Sequence, residues 1–185
     1  RVDLAVGAPG EAVGTRLNSG LVDVVYSDAT GLNGTFLARE FYQDSANMPD
    51  SSEAGDRFGY ALATGDFDNS RPNYVRDDLA IGVPGEDIVV SGSTRTNVGA
   101  VTVLYASGVS GLVADAGTDF FTPPNPVGVT LAKGPGEEFG TVLAAGRYNS
   151  GNTEDLAWGT RGEHWDGARL RSGYTGSPMA NATFT

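Results

Sequence analysis

The chain repeats one phrase three times. Asp3-Leu-Ala-Val-Gly-Ala-Pro-Gly-Glu11 returns as Asp78-Leu-Ala-Ile-Gly-Val-Pro-Gly-Glu86 and, more loosely, as Asp155-Leu-Ala-Trp-Gly-Thr-Arg-Gly-Glu163. A glycine-led apolar segment follows each copy: Gly20-Leu-Val-Asp-Val-Val-Tyr26, Gly99-Ala-Val-Thr-Val-Leu-Tyr105 and Gly167-Ala-Arg-Leu-Arg-Ser-Gly173. Arg57-Phe-Gly-Tyr-Ala-Leu-Ala-Thr-Gly65 and Glu138-Phe-Gly-Thr-Val-Leu-Ala-Ala-Gly146 stand ahead of the second and third copies. Such self-similarity marks a repeat architecture, in which each unit buries its apolar face against its neighbours. Glu86 follows Glu11 by 75 residues, Glu163 follows Glu86 by 77 and Phe139 follows Phe58 by 81. A period of that length holds about four strands with their loops, the content of one propeller blade.

The middle repeat predicts its strands directly. Leu79 and Ile81 alternate with Ala80 and Gly82, and Val101, Val103 and Tyr105 alternate with Thr102 and Leu104, the period of a strand in a sheet. We read a first strand over Phe58 to Thr64, a second over Asp78 to Val83, a third over Ala100 to Tyr105 and a less regular fourth near Asp119 to Thr122. Small residues at Ala61, Ala63, Gly65, Ala80 and Gly82 let neighbouring sheets approach closely. The Ser-, Asp-, Asn- and Pro-rich stretches Gln43 to Ala54 and Pro123 to Pro126 read as connections. The expected division is a partial blade over 1–52, a complete blade over 53–133 and a degenerate or partial blade over 134–185. The fold class is all-β, with about two and a half blades of a ring that needs about 4 to 8. Other copies or other segments are expected to complete it, since no Phe-Gly segment precedes Asp3 and the sequence reads as a piece of a longer array.

Composition narrows the function. Zero cysteines exclude disulfides, thiolate catalysis and zinc-thiolate sites. A net charge of −11, with 12 Lys and Arg against 23 Asp and Glu, argues against nucleic-acid binding and suits divalent cations, basic partners or solubility. No apolar run is long enough for a transmembrane helix. The single histidine, His164, has no serine in a Gly-x-Ser-x-Gly elbow to serve, and Ser110 and Ser177 lie in ordinary glycine turns. Lys133 beside Gly134-Pro-Gly136 lacks the Gly-Lys-Ser/Thr of a phosphate loop and reads as a turn between repeats. Glu11 and Glu86 recur in register, which marks a structural role rather than a glycosidase pair. Trp158 replaces an aliphatic strand residue and is expected to be buried, whereas Trp165 with Tyr174 offers a sugar-stacking platform. Asn33-Gly-Thr35 and Asn181-Ala-Thr183 are glycosylation sequons to which no function is assigned.

Phe58-Gly59, then Gly65-Asp66-Phe67-Asp68, then Asp78-Leu-Ala-Ile-Gly-Val-Pro84 resemble the FG-GAP repeat of integrin alpha subunits and of many secreted bacterial proteins. Phe139-Gly140 with Asp155-Leu-Ala-Trp-Gly159, and Asp3-Leu-Ala-Val-Gly-Ala-Pro9, extend the resemblance over nearly the whole chain. It implies integrin-type propeller blades with a calcium loop, Asp-x-Asp-x-Asp-Gly-x-x-Asp, between the first and second strands of some of them. On that pattern the metal ligands are Asp66, Asp68, Ser70 and the closing Asp78. The loop departs from the family in Ser70 and in the extra Arg71-Pro-Asn-Tyr-Val-Arg76, so it is weaker, re-formed with Asn69, Asn73 or Asp77, or simply an aspartate-rich turn capped by its own side chains. The third repeat keeps Asn149 and Asp155 but has Arg147 at the first ligand position, where the arginine can replace the ion by pairing with Asp155. The resemblance implies a non-catalytic, calcium-stabilised module that binds a protein or glycan ligand, extracellular or at the cell surface. The alternatives are an accessory or catalytic propeller of a secreted hydrolase and, third, a lectin.

Overall fold

The computed structural model describes residues 3–32, 38–68, 76–90, 92–107, 111–115, 117–123, 136–148, 150–151, 153–161 and 169–171. Among them the regular structure is entirely strand. In chain order the strands are β1 (Leu4–Ala8), β2 (Leu21–Val25), β3 (Ala38–Phe41), β4 (Leu62–Gly65), β5 (Asp78–Val83), β6 (Ile88–Val90), β7 (Ser93–Arg95), β8 (Ala100–Ser107), β9 (Gly111–Val113), β10 (Asp119–Phe121), β11 (Val142–Gly146), β12 (Asp155–Gly159) and β13 (Arg169–Arg171). They form three antiparallel sheets in the orders β1-β2-β3, β10-β8-β5-β4 and β11-β12-β13. The strand β9 pairs with the end of β8, and β6 with β7 makes a separate hairpin. No helix of the described residues is long and apolar enough to cross a membrane.

The second, third and fourth expected strands of the middle repeat correspond to β5, β8 and β10, with β8 running two residues past Tyr105. The first expected strand needs correction. It begins at Leu62, not Phe58, because Arg57 (φ 58°) and Gly59 (φ 86°) hold left-handed backbone that a strand excludes. The Phe-Gly pair is a joint between sheets. Phe58 N–H donates to Ser19 O at 2.8 Å and Arg57 N–H to Asn18 O at 3.0 Å, tying the second sheet to the turn ahead of β2.

The same joint recurs one repeat later. Phe139 N–H donates to Val98 O at 2.9 Å, Glu138 N–H to Asn97 O at 3.0 Å and Gly136 N–H to Thr96 O at 2.9 Å, the last matching Gly55 N–H to Leu17 O at 3.0 Å. Left-handed backbone recurs too, at Asn18, Gly20, Gly55, Arg57 and Gly59, then at Asn97, Gly99, Gly136, Glu138 and Gly140. The glycine-proline segment supplies the close contact. A methyl group on Gly7 would overlap the Gly59 carbonyl, and one on Gly82 the Gly140 carbonyl. Sequence repetition is therefore repetition of one sheet-to-sheet docking geometry.

Two apolar clusters fill the spaces between sheets. Between the first and second lie Val22, Val24 and Phe41 against Leu79, Ile81, Val83, Ala100 and Leu104, with Phe58 wedged among them. Between the second and third lie Ala80, Val101 and Val103 against Leu156 and Trp158, with Phe139 in the equivalent wedge. Every residue of β5 is buried because odd positions face one cluster and even positions the other. Trp158 is buried as expected, stacked on Phe121 at 6.1 Å and edge-on to Phe139 at 5.5 Å. Burying each wedge phenylalanine contributes about 1.5–3 kcal/mol.

Candidate metal centre

β4 and β5 pair with Gly65 opposite Asp78, so the loop from Asp66 to Asp77 leaves and re-enters the sheet at one place. That closure gathers carboxylates. Asp66, Asp68 and Asp78 each place an oxygen within 4.8 Å of the others, Asp66 and Asp78 buried and Asp68 exposed. Ser70, Asn69 and Asn73 lie outside the described residues. Asp77 is exposed and turns to the cleft between the first two sheets, which it lines with Asp3, Tyr26 and Arg76.

The frame of this cluster is backbone. Asp78 accepts hydrogen bonds from Phe67 N–H at 2.8 Å and from Ala106 N–H at 2.9 Å, one on each oxygen. Asp66 is held from the third sheet, its N–H donating to Glu154 Oε2 at 3.0 Å while Glu154 N–H donates to Asp66 O at 2.9 Å. Burial pushes the Asp78 carboxyl up to about 7; the two amide bonds oppose the rise, and the Asp68 and Asp66 charges add to it. Three crowded carboxylates, two of them out of water, are an unfavourable arrangement that a hard divalent cation reverses, since carboxylate oxygens in irregular geometry suit calcium.

The closing aspartate has a second role that sequence reading missed. Tyr148 N–H donates to Asp155 Oδ2 at 2.8 Å, as Phe67 N–H does to Asp78, although Arg147 stands where Asp66 does. Asp3 Oδ1 accepts from Ser27 N–H at 2.8 Å, as Asp78 Oδ1 does from Ala106 N–H. In every repeat this aspartate pins neighbouring chain to the start of the second strand. The signal was present: the aspartate persists in a copy whose loop has lost its first acid.

Glu86 is 2% exposed and accepts a hydrogen bond from Gln43 Nε2 at 2.5 Å, which suits the structural role read from its recurrence. Burial and the adjoining Asp50 and Asp56 push its carboxyl far above the usual range. Arg57, paired with Glu138 at 3.2 Å, links the two equivalent joints. His164, Trp165, Tyr174, Ser110, Ser177, Asn149, Lys133 and the sequon asparagines Asn33 and Asn181 lie outside the described residues. No protein-family model matches this chain, and no curated protein matches it.

Proposed function

We propose that the chain is part of a calcium-stabilised β-propeller of the FG-GAP type, a non-catalytic module for binding a protein or glycan ligand outside the cell or at its surface. The observation that carries the reading is the recurrence of one joint at both sheet boundaries, with an aspartate cluster between the first two strands of the middle sheet. Successive sheets that dock face to face through identical joints are what a blade array requires. The binding role and the extracellular setting rest on the resemblance of the repeated motifs alone. In this reading Asp66, Asp68 and Asp78 hold the ion, with Ser70 as the further ligand implied by the loop pattern. Calcium acts by holding an acidic turn that otherwise repels itself, and an ion present at a hundred times its Kd adds about 2.7 kcal/mol of stability.

Thermal unfolding in millimolar calcium and then in chelator tests the metal. The melting temperature is expected to fall in chelator for the wild type and to be far less sensitive in an Asp66→Asn/Asp68→Asn variant. A wild type indifferent to calcium overturns the site. Calcium-dependent retention on arrays of extracellular proteins and glycans tests the binding role, and turnover of ester, phosphodiester or glycan substrates would replace it with the hydrolase alternative.

A further inference from the structure

Asp66 is held in place from outside the sheet that carries its loop. Glu154 belongs to the third sheet, immediately ahead of β12, and its Oε2 accepts the Asp66 N–H at 3.0 Å. In return the Glu154 N–H donates to Asp66 O at 2.9 Å, so a reciprocal pair of hydrogen bonds crosses from one sheet to the next and fixes both the amide and the carbonyl of Asp66. Gly65 leaves room for this approach, since a methyl group there would stand 2.6 Å from Glu154 Oε2.

The closing acid of the loop is anchored differently. Asp78 is bound to the Phe67 and Ala106 amides, both within the middle repeat, whereas the opening acid depends on the third. The position that reaches across is a repeated one: Asp77 stands just ahead of Asp78 as Glu154 does ahead of Asp155, and Asp77 lines the cleft toward the first sheet. Among the described residues the oxygens that gather around one point are those of Asp66, Asp68 and Asp78, and Glu154 is not one of them. Its carboxylate is engaged with the Asp66 backbone instead.

We propose that Glu154 is a positioning residue for the calcium loop of the neighbouring sheet: it sets Asp66 in place through the backbone, so that calcium affinity in the middle sheet depends on the third sheet being docked. The inference rests on the reading of Asp66, Asp68 and Asp78 as calcium ligands. A ligand oxygen whose backbone is already fixed spares the ion the cost of ordering it. Groups that orient a metal's ligands without binding the metal matter for this reason. The coupling runs both ways, because whatever factor docking adds to calcium affinity, calcium adds to docking. Calcium in one sheet thereby tightens its boundary with the next.

The test is calorimetric titration of calcium into the wild type, Glu154→Ala and Glu154→Gln, with folding of each in chelator checked by circular dichroism. Glu154→Ala is expected to weaken calcium binding at least about tenfold. Glu154→Gln keeps an Oε1 that accepts the Asp66 N–H, and most of the affinity is expected to return with it. Hydrogen exchange of the wild type is the second readout, and it holds even where Glu154→Ala does not fold: calcium is expected to slow exchange in β11 and β12 more than in β1 and β2. A wild type that binds no calcium overturns the calcium reading and this inference together. Unchanged affinity in Glu154→Ala overturns the inference alone, as does an equal loss in the alanine and glutamine variants, which would assign the effect to charge. Wild-type β11 and β12 amides that gain no more protection from calcium than those of β1 and β2 overturn it as well.

Discussion

Asp78 shows how much a single side chain carries in this fold, since its two oxygens satisfy the Phe67 and Ala106 amides at 0% exposure. Replacing it by alanine strands both donors, and each buried unpaired group costs about 1–3 kcal/mol. Asp78→Ala is therefore expected to lower stability by about 2–6 kcal/mol in chelator, where metal binding plays no part, as read from the urea midpoint. A second residue contributes to the pH response. Burial, reinforced by Glu53, Asp50 and Asp87, raises the Asp56 carboxyl from 3.8 to about 6, against the opposing Glu53 N–H bond. A raised folded-state pKa means that stability is fully present below about pH 4 and is lost as pH rises through about 6. Urea midpoints in chelator should fall across that window, and Asp56→Asn should remove this component of the slope. An unchanged profile in the variant would assign the dependence to other acids. At this scale the sequence was legible in identity more than in role. The recurrence of Asp3, Asp78 and Asp155 is visible by eye, but the amides they hold come from segments up to 28 residues away and are known only once the chain is folded.

Strands were the most legible elements, because a sheet with two covered faces demands a mostly apolar central strand, and β5 and β8 are apolar apart from Asp78, Thr102 and Ser107. The start of β4 was misplaced for a physical reason. Apolar alternation in Phe58-Gly-Tyr-Ala-Leu resembles a strand, whereas the left-handed Arg57 and Gly59 bend the chain into the neighbouring sheet. The hairpin of β6 and β7 and the short β9 were not anticipated; Ile88-Val-Val ahead of Ser91-Gly92 was the available signal for the first. The joints make a sharp prediction. Gly82→Ala puts a methyl group into the Gly140 carbonyl, a backbone atom that cannot step aside, and is expected to cost at least about 2 kcal/mol. Gly10→Ala is the control: its nearest neighbour is Asn18 Oδ1 at 4.0 Å, so a change within about 0.5 kcal/mol is expected from the same denaturation curve.

For the whole molecule, the informative comparison is between equivalent faces. Leu79 and Ile81 are 1% and 0% exposed because the first sheet covers them, whereas their counterparts Leu4 and Val6 in β1 are 46% and 45% exposed. On the far side Val142 in β11 is 61% exposed. Both faces suit a further sheet of the same kind. Light scattering in calcium should therefore show self-association that Leu4→Lys with Val6→Lys abolishes, and a mass near three copies that collapses in chelator would mark a ring assembled from partial arrays. A strictly monomeric chain would mean that other sequence covers these faces.

The sequence by itself determined that the chain repeats, that each repeat is built of strands, and where the acidic loop falls, because repetition, period-two alternation and residue spacing are local properties of the chain. Tertiary structure alone decided that the Phe-Gly pair is a joint and not a strand, that the closing aspartates pin backbone in all three repeats, and that Gln43 meets Glu86. Those features join residues separated by as many as 58 positions, Gly82 and Gly140, and their partners are set by how one sheet docks on the next.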